Sequence, residues 1–322
     1  MAAMAEISLQ PVTYKGWDAW RLERGPLALV LVPQIGGRIM GVQWHDQELS
    51  FVNPECEGRI QDVTAIADVH ECKRRLGFLL WGGDKTWLAP QSRWTDDVPF
   101  IDLDSGAYEF AWDDRAGTVT MTSPVCRETG VQIERTITVG EQPGAWSLVH
   151  TLHNRSQGEV SWAPWDVSMV VRPATVYLPT RAGSDFPQGL RTFENEGASS
   201  ELRDEVVSFV DGVAVISCSD ALKFKYGVDS EVGSVLAVIE AGPRGAIGFR
   251  KSVPVYHPQP YASGCVVEVF NSEDYPYLEL ELHGPVVALA PNKSFSLAES
   301  ATVFDLEQPL VGLASIRQCL GL

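Results

Sequence analysis

The chain has 322 residues, 45% of them hydrophobic, and a formal net charge of −17 at pH 7. An acidic excess of this size repels phosphate backbones and anionic lipid surfaces, so neither nucleic acid nor a membrane is expected as a partner. The six cysteines, Cys56, Cys72, Cys126, Cys218, Cys265 and Cys319, form no C-x-x-C pair, which argues against a zinc site or a disulfide framework and for reduced, buried thiols.

Residues 1–10 carry no basic segment followed by an apolar run, and no stretch of about 18 apolar residues exists to cross a membrane. A soluble, cytoplasmic protein is the expectation. Residues 1–322 are read as one unit, since all-β chains often exceed the usual single-domain length. In chain order, Ala28–Pro33 is a short apolar run closed by a proline, and Gly36–Trp44 alternates after a glycine turn. Thr118–Thr122, Val131–Val139 and Trp146–Asn154 alternate apolar and polar residues, the signature of half-buried strands. The polar stretch Gly183–Glu205, with Pro187, Gly189 and Gly197, is predicted to be a long surface loop. Further strands are predicted at Val207–Cys218, Val235–Glu240, Ala246–Phe249, Cys265–Asn271, Tyr277–His283, Val286–Leu289 and Ser294–Val303. A C-terminal helix over Pro309–Leu320 is the best helical candidate. Many short antiparallel strands in one long chain imply an all-β sandwich.

Four segments carry residues suited to chemistry. The first is Leu79–Gln91, where Gly82-Gly83 is followed by Asp84 and Lys85 and flanked by Trp81 and Trp87. Glycine pairs let another molecule approach the backbone, and indoles beside an acid and an amine suit a polyhydroxylated, partly apolar ligand. A tight turn with two core tryptophans is the plainer alternative. The second is Tyr277–His283, where a period of two puts Tyr277, Glu279, Glu281 and His283 on one face and three leucines on the other. That polar face is either solvent or the floor of a groove. The third is Glu268, a charge inside an apolar strand that needs a partner or a task. The fourth is Trp162–Val167, where Trp165 and Asp166 repeat the pairing of indole and carboxylate. Of the six histidines, His150 and His153 lie three apart in a strand and so face opposite sides, which argues against a shared metal.

Several of these pieces occur in the order found in the galactose mutarotase-like superfamily, which the chain resembles over nearly its whole length. Leu31–Ile39 resembles the opening strand and glycine turn of aldose 1-epimerase relatives, and Gly82-Gly83 the region that precedes their first sugar contacts. Leu152–Ser156 resembles the strand end before their central histidine, Val267–Asn271 the strand of the catalytic glutamate, and Val287–Ser294 the late turn. The nearest resemblance is to a branch marked by Gly-Gly-Asp-Lys-x-Trp-x-x-Pro-Gln and Glu-Leu-Glu. It implies a β-supersandwich of large antiparallel sheets and a small-molecule carbohydrate or related polyol as ligand, with no cofactor and no metal.

The resemblance carries the proton-accepting role to Glu268, with Glu279 as rival under a shifted alignment. It does not carry over a histidine acid, because Trp165-Asp166 and Asp84-Lys85 stand where histidines would be. Asp84, Lys85, Asp166 or His283 would then supply or polarise, Trp81, Trp87 and Trp165 would form stacking walls, and Arg38 and Gln91 would bind hydroxyls or a carboxylate. Glu279 and Glu281 would join the groove. The resemblance implies an isomerase or lyase working by acid/base epimerisation or elimination. The alternative is a non-catalytic carbohydrate-binding protein that kept the groove. The oligomeric state is left open.

Overall fold

The alternation in Val131–Val139 becomes a strand whose odd positions are buried, and among Val131, Ile133, Ile137 and Val139 stands one buried charge, Arg135. The computed structural model describes residues 6–193, 202–241, 245–306, 310 and 312–322. It contains two large antiparallel sheets. One has twelve strands, in the order Ser8–Tyr14, Trp17–Arg24, Leu27–Val32, Arg38–Trp44, Asp84–Ala89, Val160–Val171, Tyr277–His283, Val267–Asn271, Phe224–Val228 and Arg191–Thr192; Gln47–Glu48 and Val287–Leu289 pair off this path. The other has ten, in the order Val207–Val210, Val213–Cys218, Ala174–Pro179, Gly233–Glu240, Ala246–Val253, Ser294–Leu306, Ala145–Asn154, Val131–Val139, Thr118–Thr122 and Glu109–Asp113. Leu29, Leu31, Leu278, Leu280 and Leu282 of the first meet Ile133, Ile137, Leu148 and Leu297 of the second in the main apolar core. The all-β supersandwich expected from the sequence is the fold observed.

Several boundaries differ from the sequence reading. Val207–Cys218 is a hairpin, because Asp211 and Gly212 take φ of +43° and +82° and Val210 pairs with Val213 across a two-residue turn. Asp84–Ala89 is a strand with all six residues buried, so it lacks the alternation that would announce it. A helix over Val69–Leu76 was not foreseen, although Asp68 caps it by accepting from the backbone N–H of His70 and Glu71 and Gly77 ends it. The C-terminal helix covers Leu313–Leu320 and sets Ile316 and Leu320 against Tyr177 and Leu236; of the predicted Pro309–Leu320, residues 309 and 311 lie outside the described residues. In the predicted Gly183–Glu205 loop, Arg191–Thr192 adds an edge strand to the larger sheet, and 194–201 lie outside the described residues.

The glycine pair that drew attention as a ligand approach has another use. Gly82 and Gly83 take φ of +101° and +67°, and a Cβ on Gly82 would lie 2.3 Å from the Phe51 carbonyl oxygen. A Cβ on Gly83 would lie 2.7 Å from that of Ile39. The glycines let this backbone close onto its neighbours, with Gly83 N–H donating to the Phe51 carbonyl at 2.8 Å. All six cysteines are unbridged; Cys319 is half-buried and the other five are buried. Among the described residues no helix is long and apolar enough to cross a membrane.

Candidate functional site

Strand register assembles a cleft on the outer face of the larger sheet. Trp87, Trp165 and His283 pair across three neighbouring strands in one row. Lys85, Val167, Glu281, Glu268 and Gly227 form the next. Leu278, Leu280 and Leu282 enter the core, so Glu279, Glu281 and His283 turn to the opposite face. The main lobe of the cleft has a volume of about 700 Å³, and Glu268, His283, Trp165, Lys225, Arg191 and Gln91 are among its lining residues.

Glu268 is the centre of this lobe. Its Oε2 lies 3.0 Å from Lys225 Nζ, which also sits 3.1 Å from Glu281 Oε2. Its Oε1 accepts from the Ser263 hydroxyl and lies 3.4 Å from His283 Nε2. Burial pushes the Glu268 carboxyl up, but the Lys225 ammonium and then His283 outweigh it and hold the group well below the usual carboxylate range. Gly227 makes room for it: a Cβ there would lie 3.1 Å from Glu268 Cγ and 2.6 Å from Cys265 Sγ. His283 stacks on Trp165 at a centroid distance of 5.2 Å, and Trp165 Nε1–H donates to Glu281 at 2.9 Å. His283 is 2% exposed, its Nε2 is off hydrogen-bonding geometry to Glu268, and its Nδ1 has no partner among the described residues. A buried ring nitrogen without a partner on a cleft wall is placed for a ligand or water.

The inner face of the same strands carries a second group of charges, sealed between the sheets. Asp84, Asp166 and Ser168 from the larger sheet meet Arg135, His150, Lys251 and Glu299 from the smaller one, and all are buried. Lys251 Nζ lies 2.9 Å from Asp84, 3.0 Å from Glu299 and in closer contact with Asp166; Arg135 pairs with Asp84. Thr86 Oγ1 is 2.8 Å from His150 Nδ1. Burial pushes Asp84 up, but Lys251 and Arg135 prevail and hold it well below the carboxylate range. Burial, together with Asp84 and Glu299, pushes Asp166 well above it, and burial holds His150 below its ordinary value. Both shifts favour the neutral forms of Asp166 and His150, which lessens the charge that this dry interior holds.

The alternation of the strand therefore separates the residues that the sequence grouped together. Asp84 and Asp166 point between the sheets, away from the cleft, while their neighbours Lys85 and Trp165 point toward it. Lys85 is buried, 3.1 Å from Glu279, with its ammonium over the Trp87 ring. Trp81 lies in a small separate core, its Nε1–H donating to Ser105, and Arg38 is buried against Asp104 and the Gly82 carbonyl. Neither lines the cleft. Trp165 is 4% exposed and partitions the cleft more than it offers an open stacking face. Lys225, Ser263 and Arg191 were missed. The signal that singled out Glu268, a charge within an apolar strand, also marks Lys225 in Phe224–Val228.

Two triads, His150–Asp166–Glu299 and Glu268–Glu281–His283, bring possible metal-ligand atoms within 4.8 Å of one another. In each a lysine ammonium already lies among the carboxylates, Lys251 in one and Lys225 in the other. A metal would have to displace it, so the residues fit an internal ion pair better than a cation site.

No family model matches the chain, and no curated protein sequence matches it significantly. Solved structures do. The Slr1438 protein from Synechocystis sp. PCC 6803 superposes with a TM-score of 0.58 at 12% identity, over 94% of this chain and 98% of that one. A galactose mutarotase-like protein from Lactobacillus casei ATCC 334 gives 0.57 at 9% identity, over 89% and 100%. A provisionally assigned aldose 1-epimerase from Escherichia coli K12 gives 0.57 at 12%, over 94% and 100%. The fold is the galactose mutarotase-like fold. Within it, the strand Val267–Asn271 that carries Glu268 lies beside Tyr277–His283 in the larger sheet, and the cleft opens on the outer face of both.

The inner charge group makes its own prediction. Asparagine has the shape of a protonated aspartic acid, so Asp166→Asn should lie within about 1 kcal/mol of the parent at neutral pH. A carboxyl whose folded-state value is raised stabilises fully below its unfolded value and loses that contribution as pH climbs through the raised one. The variant should therefore gain on the parent as pH rises. Thermal melts of both proteins between about pH 5 and pH 9 test this; a variant that falls steadily behind would mean that Asp166 is ionised in the fold.

Proposed function

We propose that the cleft binds a carbohydrate or related polyol and that Glu268 and His283 move protons on it, as in interconversion of anomers. The observation that carries this is the Glu268–His283 pair, 3.4 Å apart on adjacent strands and both lining one cavity. A carboxylate and an imidazole at that spacing reach neighbouring oxygens of one sugar. Glu268 takes the proton of the anomeric hydroxyl and His283 gives one to the ring oxygen. The ring opens, the carbonyl turns, and the roles reverse on closing. Such proton transfer needs only these side chains and the substrate. Lys225 and Gln91 supply hydrogen bonds to hydroxyls, and Trp165 holds His283 in its orientation. The mutarotase-like fold supports the reading at the level of a carbohydrate-related scaffold.

One observation favours a second reading. Lys225 holds Glu268 well below the usual carboxylate range, which weakens it as a base while leaving it a strong acceptor for hydroxyls. A protein that binds sugar without converting it fits that feature. Polarimetry of freshly dissolved aldoses, run beside titration calorimetry, separates the two. The expected result is faster mutarotation of at least one aldose. Measurable binding with no acceleration across the panel would transfer the assignment to binding alone.

A further inference from the structure

Past Trp165 the cleft continues into a second lobe of about 360 Å³. The lobes share Gln91, Trp165 and Lys225 and meet along those side chains. Both volumes fall within the range of about 300–1,000 Å³ usual for small-molecule sites. The larger lobe alone is roomy enough for a monosaccharide, which leaves the second without an occupant.

Its lining has a particular character. Trp87, Trp94, Phe270 and Tyr275 surround it, and Phe78 stands among them, edge-on to Trp87 at 6.1 Å. Phe78 is 48% exposed, and of the large hydrophobic side chains this exposed among the described residues it alone lines either lobe. One exposed phenylalanine is ordinary. A concavity lined by several aromatics together with carboxylates is less so. Glu273, Asp274 and Glu279 are those carboxylates, and Ser272 adds a hydroxyl.

We infer that this lobe binds a second pyranose ring, so that the ligand is a disaccharide or longer glycan whose reducing ring sits against Glu268; the orientation rests on the function proposed above. A pyranose offers C–H faces to stack on the exposed Phe78 and the half-buried Phe270 and Tyr275, and hydroxyls to donate to carboxylates, which matches this mixed lining. An aromatic or alkyl group would cover Glu273, Asp274 and Glu279 without hydrogen-bonding them, at a desolvation cost. An anionic group would meet Glu273 and Asp274, besides Glu279 with its Lys85 partner, against Lys223 and Lys225, the latter already engaged by Glu268 and Glu281.

Titration calorimetry of the full chain with glucose and galactose, and with maltose, cellobiose and lactose, tests the inference. At least one disaccharide should bind roughly tenfold or more tightly than its component monosaccharides. Phe78→Ala and Asp274→Asn, both at exposed positions outside the packed core, should each cut that disaccharide-to-monosaccharide ratio by about fivefold. If monosaccharides bind and no disaccharide gains, or if neither variant moves the ratio, the second ring is overturned and the reading of the first lobe stands. If no saccharide of either size binds, both fall together.

Discussion

Replacing Lys251 by methionine should cost the fold about 3–5 kcal/mol at neutral pH, a large part of the stability of an ordinary domain. The ammonium is 1% exposed and contacts three acidic side chains at once, Asp84, Asp166 and Glu299. Methionine keeps much of the volume, so the loss is electrostatic and not a cavity. Without Lys251, Arg135 still pairs with Asp84, but Glu299 keeps only His150 at 3.4 Å, so one of the acids must take a proton or remain unpaired in a dry interior. The pH dependence follows from the sign. Asp84 is held low in the parent, so its contribution is present above the unfolded carboxylate value and is lost as pH falls through the folded one. In the variant the restraint is weakened, burial raises the acids, and folding binds protons more readily. The deficit relative to the parent should therefore shrink as pH falls from about 7 to about 4. Denaturant unfolding at both values reads it. A variant within about 1 kcal/mol of the parent at neutral pH would mean that water or rearrangement compensates these charges.

This inner group and the cleft share strands, which explains why the sequence exposed the fold better than the site. Alternation in Val131–Val139 and Tyr277–His283 states directly which residues face inward, and it is the physical signal behind the sandwich. Asp84-Lys85 and Trp165-Asp166 look like two small clusters of acid, base and aromatic. In a strand, neighbours point to opposite faces, so each pair divides between an ionic interior and the outer face that carries the cleft. Asp84–Ala89 is absent from the predicted strands because its residues are buried on both faces, and a strand of that kind shows no period. Glu268 was legible because an unpaired charge in an apolar strand is costly and demands an explanation. Lys225 is its explanation, yet 43 positions separate them, and only register brings Lys225 opposite Phe270, two places from Glu268. Asp68, with Glu71 three residues on and Gly77 at the end, is the start and stop signal of the helix Val69–Leu76.

The last expected result concerns Glu268 itself. Glu268→Gln should lower kcat/KM for anomer interconversion by about 10²- to 10⁴-fold, the usual share of a positioned acid or base. The fold should survive, since Glu281 still neutralises Lys225, and the glutamine amide can accept from Lys225 with its oxygen while its NH2 donates to the Ser263 hydroxyl oxygen. Sugar affinity should fall far less than the rate, because a hydrogen-bond acceptor remains where the base was. Lys225→Met provides the complementary test. The lysine is the first of the groups that hold Glu268 down, so removing it lets burial raise the carboxyl. A base with a raised value is protonated over a wider acid range, and the acid limb of the kcat/KM profile should move to higher pH. If Glu268 acts as the base, Glu268→Gln loses the rate and Lys225→Met moves that limb. Full activity in the first variant, or an unmoved acid limb in an active second one, would remove Glu268 from the chemistry and leave it an anchor for Lys225 and for the hydroxyls of a bound sugar.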